Sequence, residues 1–157
     1  MLNLLDYPLA LQLLMQTDGT VTELIQLLAK EKMLVVKLSE KISPTGKLHR
    51  HIYLQGQRSQ THWLFAKSVI YLQNLSADFV SDLMEKSIPI GSLWAKYRVE
   101  TYKQQTDSYQ QEALEGDDSG FSTGTRLLCR EYEVYSKKTI IMKITEKFPI
   151  EIYKNLA

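Results

Sequence analysis

Six segments of the sequence have the patterning of β-strands: most carry rows of apolar residues with a period of two, and one, at 97–109, is polar with regularly placed Val, Thr and Tyr. They occupy residues 33–43, 48–55, 63–72, 97–109, 125–135 and 139–148. Turn-forming residues stand between several of them, at 44–47, 56–59 and 136–138. Antiparallel strands can be joined by such short turns, whereas parallel strands need long crossover connections. The pattern therefore restricts the chain to a largely antiparallel sheet.

Helical spacing of apolar residues occurs in three other places. Leucines crowd residues 9–15, the polar turn Thr17-Asp18-Gly19-Thr20 follows, and a second helix is predicted from the leucines and isoleucine at 24–28. A third helix is predicted to begin after Ser76 and to stop before Ile88-Pro89. These elements together predict an α+β fold, with a six-stranded antiparallel sheet and helices packed on one face. Residues 110–123 are predicted to form a mobile loop.

The length and charge of the chain limit what kind of protein it can be. A chain of 157 residues is about one ordinary domain, so we expect a single domain over residues 1–157. Its 19 Lys and Arg against 18 Asp and Glu leave a charge of +1, which gives no field to attract nucleic acid or an anionic membrane. The single Cys129 cannot form an internal disulfide, and no charge-free run is long enough to cross a membrane. We expect a cytoplasmic protein, and its oligomeric state is not indicated.

Four charged residues interrupt the apolar rows of the predicted strands. Residues two apart in a strand share a face. Arg50 stands between Leu48 and Ile52, and Glu146 stands between Ile144 and Phe148. By the same parity, Arg130 falls in the row of Leu128, Tyr132 and Val134, and Lys67 falls in the row of Trp63, Phe65, Val69 and Tyr71. All four ionisable groups are therefore predicted to point inward.

Two interpretations of these inward charges remain open from the sequence. Burying an unpaired charge costs several kcal/mol or more, so such groups are paired internally or kept for a ligand. In the first interpretation, Glu146 forms an internal ion pair with Arg50 or Arg130. In the second, Arg50, with Arg130 or Lys67, binds carboxylates inside an apolar cavity and Glu146 contacts a proton or a hydroxyl.

Sites for metals and phosphate groups have little support in the sequence. The three histidines, His49, His51 and His62, do not stand at a recognised zinc spacing with carboxylates or thiols. No glycine-rich phosphate-binding loop occurs either. We therefore expect no metal site.

At these same residues the chain resembles the chorismate pyruvate-lyase family of quinone biosynthesis. The resemblance covers nearly the whole chain, and the order and spacing of its stretches carry it more than any one motif. The resembling stretches are the joint at 14–22, Arg50-His51-Ile52, Phe65-Ala66-Lys67-Ser68-Val69-Ile70, Leu75-Ser76, Ile88-Pro89-Ile90-Gly91 and Ile144-Thr145-Glu146-Lys147-Phe148-Pro149.

This resemblance implies a chorismate lyase-like fold and a reaction without metal or organic cofactor, in which chorismate yields 4-hydroxybenzoate and pyruvate. The resemblance implies that the product supplies the head group of a quinone, and the sequence leaves open whether it feeds ubiquinone, plastoquinone or another aromatic metabolite. Arg50 matches the arginine that grips the ring carboxylate, and Glu146 matches an essential carboxylic residue at the far end of the site. Lys67 stands where an arginine is expected, and Arg130 aligns with an arginine-rich part of the family.

The resemblance also implies segments that close on the ligand. Ile90 with Gly91, and the backbone around Thr20, match segments that contact the ligand through main-chain groups. Two alternatives to a chorismate lyase remain open at this point. One is a non-catalytic sensor of small carboxylates, because effector domains of some transcription regulators resemble this fold. The other is a lyase that acts on a related aromatic acid precursor, which the change to Lys67 leaves open.

Overall fold

A six-stranded antiparallel sheet forms the centre of the structure, a computed structural model that describes residues 2–85 and 88–156. The strands are β1 Met33–Ile42, β2 Lys47–Gly56, β3 His62–Tyr71, β4 Tyr102–Glu112, β5 Arg126–Ser136 and β6 Thr139–Pro149. Their order across the sheet is β1-β2-β3-β6-β5-β4, and every neighbouring pair is antiparallel. Two three-stranded meanders therefore meet at β3 and β6.

In the described part of the chain, five α-helices accompany the sheet. They are α1 Leu9–Gln16, α2 Val21–Ala29, α3 Ala77–Glu85, α4 Ile90–Lys96 and α5 Ile150–Lys154, with short 3₁₀ turns at Leu4–Asp6 and Leu72–Asn74. Their predicted counterparts near the N-terminus and after Ser76 are confirmed, and the α+β class with six antiparallel strands is confirmed with them. None of the helices in the described ranges is long and apolar enough to cross a bilayer.

The helices pack against one face of the sheet through two apolar clusters. In the first cluster, α1, α2 and α5 cover the sheet, and side chains such as Leu11, Leu14 and Ile25 share this cluster with Leu64 and Phe148. In the second, α3 and α4 contribute Phe79, Leu83 and Leu93 against Ile70 and Val134. The predicted arrangement of helices on one face is therefore confirmed.

The loop between β4 and β5 lies across the opposite face. Phe121 packs beside Cys129, and the hydroxyl of Tyr53 donates a hydrogen bond to the carbonyl of Ser119. Asp118 forms an ion pair with Lys67, with 3.0 Å between Oδ2 and Nζ. This segment, predicted as a mobile loop at 110–123, begins after Glu112 and is fastened to the sheet at these points.

The predicted bounds of the fourth strand are wrong. The strand was placed at 97–109, but α4 continues to Lys96 and β4 begins only at Tyr102. Arg98 closes the helix with a left-handed backbone, at φ 51°. A seven-residue helix offers less than two full turns of periodicity, so its pattern is easily mistaken for the beginning of a strand.

The C-terminal helix is tied to the sheet by one buried hydrogen bond. The hydroxyl of Tyr153 donates to the carbonyl of Trp63 at 2.7 Å, and Tyr153 is fully buried. We expect Tyr153→Phe to lower the free energy of unfolding by about 1–2 kcal/mol, because the carbonyl is left buried without a partner. Urea unfolding followed by circular dichroism measures this loss. Tyr102→Phe is the matched control, because Tyr102 is exposed; an equal effect of both changes would contradict the expectation.

Candidate active site

A cavity lies between the two apolar clusters, on the helix-covered face of the sheet. Most of its wall is aliphatic, from residues such as Ile52, Leu64 and Ile144. The polar side chains that reach it are those of Thr20, Thr22, Arg50, Ser68, Lys103, Tyr132 and Glu146. Few polar groups in an aliphatic cavity are typical of a site for a small organic ligand.

Glu146 lies at the centre of the sheet, where β6 runs between β3 and β5. Its neighbours across the strands are Ala66 and Arg130. One carboxylate oxygen, Oε1, accepts a hydrogen bond from Nε of Arg130 at 2.6 Å, and Oε2 accepts one from the hydroxyl of Tyr132 at 3.0 Å. Glu146 is only 3% exposed. Each of its two carboxylate oxygens therefore accepts a hydrogen bond inside the protein.

Arg130 completes a buried ion pair and also contacts the end of α1. Its Nη1 donates to the carbonyls of Met15, at 3.4 Å, and Thr17, at 3.0 Å. Desolvation by burial lowers the pKa of Arg130, but the Glu146 carboxylate opposes it, and the net pKa lies above the usual value. The first interpretation from the sequence, an internal ion pair of Glu146, is therefore confirmed with Arg130 as its partner.

Arg50 has no such partner among the described residues. It is 3% exposed and lines the cavity from β2, opposite Ser68 on β3. Its Nε has no hydrogen-bond partner, and no described carboxylate lies within 4.0 Å of the guanidinium. Burial lowers the pKa of Arg50, and the charge of Glu40 offsets part of this effect. Arg50 is thus a buried cation that faces the cavity with free donors.

The prediction that Lys67 points inward is wrong. The register between β2 and β3 shifts at Trp63, so Trp63 and Leu64 both pack with the helix-side core. This bulge adds one residue to β3 and reverses the parity of every residue after it. Lys67 therefore lies on the opposite face with Asp118, and it does not reach the cavity.

The predicted closing segments meet at one side of the cavity. Ile90 and Gly91 begin α4, Thr20 precedes α2, and all three line the cavity. A Cβ added to Gly91 would lie 2.5 Å from Cγ2 of Thr20. The approach of these two segments therefore requires glycine at position 91.

Lys103 and the hydroxyl of Tyr132 belong to the site but were not proposed from the sequence. Lys103 lies on β4 opposite Val134, a residue that parity had placed inward. Its Nζ donates to the carbonyl of Gly19 at 3.1 Å and lies 5.4 Å from the ring centre of Tyr132. The pairing of β4 with β5 places Lys103 on the inner face. This register does not follow from the sequence, because the predicted bounds of the fourth strand are wrong.

This arrangement can bind an anionic organic molecule in one orientation. A carboxylate suits the free donors of Arg50, a hydroxyl suits the Glu146–Tyr132 end, and an apolar ring suits the aliphatic wall between them. In the described part of the chain, no group of three or more His, Cys, Asp or Glu side chains could hold a metal ion.

The ion pair between Arg130 and Glu146 sets a first prediction for this site. We expect Glu146→Gln to lower the free energy of unfolding by about 3–5 kcal/mol, because it leaves a buried guanidinium without its counter-charge. Adding Arg130→Met should recover much of that loss. Glu151→Gln is the control: Glu151 pairs with Arg126 at the surface, and the expected change is below about 1 kcal/mol. Urea unfolding of the wild type and the three variants measures these values, and a Glu146→Gln protein as stable as the control would contradict them.

The contact of Gly91 with Thr20 sets a second prediction. Alanine in place of Gly91 would favour helix α4 by up to about 1 kcal/mol. We nevertheless expect Gly91→Ala to destabilise the protein by about 1–3 kcal/mol, because its methyl overlaps the methyl of Thr20. Thr20→Ser removes that methyl, so the double variant should be more stable than Gly91→Ala in thermal unfolding. A double variant that gains nothing would show that the overlap is not the cause.

Comparisons with known proteins bear on the fold and on the family separately. A solved structure with a similar fold is the effector domain of PhnF from Mycobacterium smegmatis, with a TM-score of 0.59 and 11% identity over 85% of this chain and 90% of that chain. A GntR-family transcriptional regulator from Enterococcus faecalis V583 has a TM-score of 0.55 and 12% identity, over 73% of this chain and 92% of that chain. At these identities the likeness shows the fold alone.

A relative by sequence is named as an enzyme. The chorismate pyruvate-lyase of Mycobacterium tuberculosis is 25% identical over 168 aligned positions, which cover 92% of this chain and 82% of that protein. The family model described as "Chorismate pyruvate-lyase Rv2949c-like" matches residues 14–156, a range that contains Arg50, Lys103, Arg130 and Glu146. The chain therefore belongs to the Rv2949c-like chorismate pyruvate-lyase family.

Proposed function

We propose that this protein is a chorismate lyase that converts chorismate to 4-hydroxybenzoate and pyruvate, as a first step that supplies a quinone head group. The observation that carries the proposal is the buried, unpaired guanidinium of Arg50 in an aliphatic cavity that Glu146 also lines. Membership of the family supports the same reaction.

The proposed orientation places the ring carboxylate of chorismate on Arg50. Charge-assisted hydrogen bonds to the guanidinium give this cation a partner, where its Nε is otherwise buried without one. The diene ring then lies against the aliphatic wall, and the ring hydroxyl lies at the end formed by Glu146 and Tyr132. Since Arg130 and Tyr132 fix the Glu146 carboxylate, the hydroxyl meets an acceptor that does not have to reorganise.

The reaction itself needs few catalytic groups. The bond between the ring and the enolpyruvyl oxygen breaks, the carbon that carries the hydroxyl loses a proton, and the ring becomes aromatic. The released enolpyruvate takes up a proton at its methylene carbon and becomes pyruvate. Because aromatisation makes the reaction strongly downhill, orientation in a water-excluding cavity is the main contribution of the protein. Glu146 is the group placed to assist the ring proton.

A non-catalytic sensor of small carboxylates is the second candidate. Its support is the fold that this chain shares with the effector domains of transcription regulators. Because the sequence identity to those domains is low, the shared fold does not indicate which ligand this chain binds. Turnover separates the two candidates, since a sensor binds without releasing products.

The test is incubation of the purified protein with chorismate, without added metal or cofactor. We expect 4-hydroxybenzoate, followed by ultraviolet absorbance, and pyruvate, followed by a coupled assay, to appear in equal amounts. Arg50→Met should lower kcat/KM at least tenfold, or about 1.4 kcal/mol. The same variant should unfold at a higher urea concentration than the wild type, because methionine removes an unpaired buried charge.

Lys67→Met is the matched control for Arg50→Met. This substitution also removes one positive charge, but Lys67 lies on the face of the sheet away from the cavity. We therefore expect kcat/KM of Lys67→Met within about twofold of the wild type. Binding of chorismate without turnover would favour the sensor. Absence of both binding and turnover would mean that the cavity takes another acid.

A further inference from the structure

Chorismate carries two carboxylates, and Arg50 accounts for only one of them. The two other cations considered from the sequence are not available for the second. Arg130 is committed to Glu146 and to the carbonyls at the end of α1, and it does not line the cavity. Lys67 lies on the opposite face of the sheet. Among the described residues, the cation that lines the cavity besides Arg50 is Lys103.

Lys103 and Arg50 approach the cavity from opposite sides. Arg50 is on β2 and Lys103 is on β4, and β3, β6 and β5 lie between these strands. Four interstrand steps separate the two backbones by about 19 Å. Both side chains line the cavity, so their charged groups can approach one ligand from two sides. Glu146 lies between them, on β6.

The ammonium of Lys103 has unused hydrogen-bonding capacity. An ammonium has three donors, and one of them is used on the carbonyl of Gly19 at 3.1 Å. No described carboxylate forms an ion pair with Lys103 within 4.0 Å. Burial lowers the pKa of Lys103, and the charge of Glu146 offsets part of that effect. A half-buried cation with free donors at the cavity wall is suited to an anionic group of the ligand.

We propose that Lys103 binds the second carboxylate of a dianionic substrate, the enolpyruvyl carboxylate of chorismate, and makes the site selective for two carboxylates over one. This inference rests on the proposed function for the identity of the substrate. It has a consequence for turnover: the reaction removes the second carboxylate with pyruvate, so the aromatic product is held by Arg50 without Lys103.

Lys103 could instead act only as a structural latch, since its bond to Gly19 holds the joint between α1 and α2 beside the cavity. A latch would strengthen the binding of every ligand that needs the joint closed, whatever its charge. A carboxylate anchor strengthens only the binding of ligands with a second carboxylate. Two ligands that differ only in that group therefore distinguish the roles.

The experiment compares 3-(carboxymethoxy)benzoate, an unreactive dianion, with 3-methoxybenzoate, which lacks the second carboxylate. Dissociation constants are measured by titration calorimetry for the wild type, Lys103→Met, Lys103→Arg and Lys143→Met. Lys143 is an exposed lysine on β6, so its variant is the matched control for loss of one positive charge. The assay needs no turnover, so failure of the lyase reaction does not affect it.

We expect the wild type and Lys143→Met to prefer the dianion at least tenfold. Lys103→Met should lose that preference, with affinity for 3-methoxybenzoate changed less than twofold, and Lys103→Arg should retain most of it. In steady-state assays with chorismate, Lys103→Met should raise KM at least tenfold and leave inhibition by 4-hydroxybenzoate nearly unchanged. Equal loss of affinity for both ligands would overturn the proposal in favour of a latch. A wild type that binds neither ligand, or shows no preference, would overturn it outright.

Discussion

The buried pair of Arg130 and Glu146 is the interaction on which the site depends. It joins β5 to β6 through side chains, and Nη1 of the guanidinium donates to carbonyls at the end of α1 and holds that end against the sheet. The hydroxyl of Tyr132 donates a hydrogen bond to the second carboxylate oxygen of Glu146. A charge in the middle of an apolar face would otherwise be too costly, so this network fixes the strand register, the helix and the polar end of the cavity together.

Arg50 shows the opposite use of a buried charge. It lies on the same face of the sheet, a few strands away, yet the described part of the chain offers it no carboxylate within ion-pair distance. One arginine is thus paired within the fold, and the other is the one proposed to bind a ligand. A buried, unpaired charge lowers the stability of the protein when no ligand is bound. The binding of an anion offsets part of this desolvation cost.

The sequence predicted the parts of the structure that depend on simple periodicity. The six strands and the inward direction of Arg50, Arg130 and Glu146 follow from period-two rows without irregularities near those residues. Prediction of Lys67 failed because the bulge at Trp63 reverses the parity of β3, and one extra residue leaves no mark in the apolar pattern. Lys103 was missed for a related reason: its strand is polar on both faces, so only its pairing with β5 shows that it points inward. Strand order likewise decides which arginine pairs with Glu146, because Arg130 lies on the neighbouring strand. The apolar pattern within one strand gives no information on that order.

The close approach of Gly91 to Thr20 bears on how fast such a site can work. Two helix beginnings meet over the cavity with no space for a methyl group between them. A ring with two carboxylates cannot pass through that seam while it is closed, so a route at this place opens only when α2 and α4 move apart. If molecules pass here, each catalytic cycle includes two such openings, one for entry and one for exit. The frequency of that separation then sets an upper limit on the rate of the proposed reaction, whatever the height of the chemical barrier.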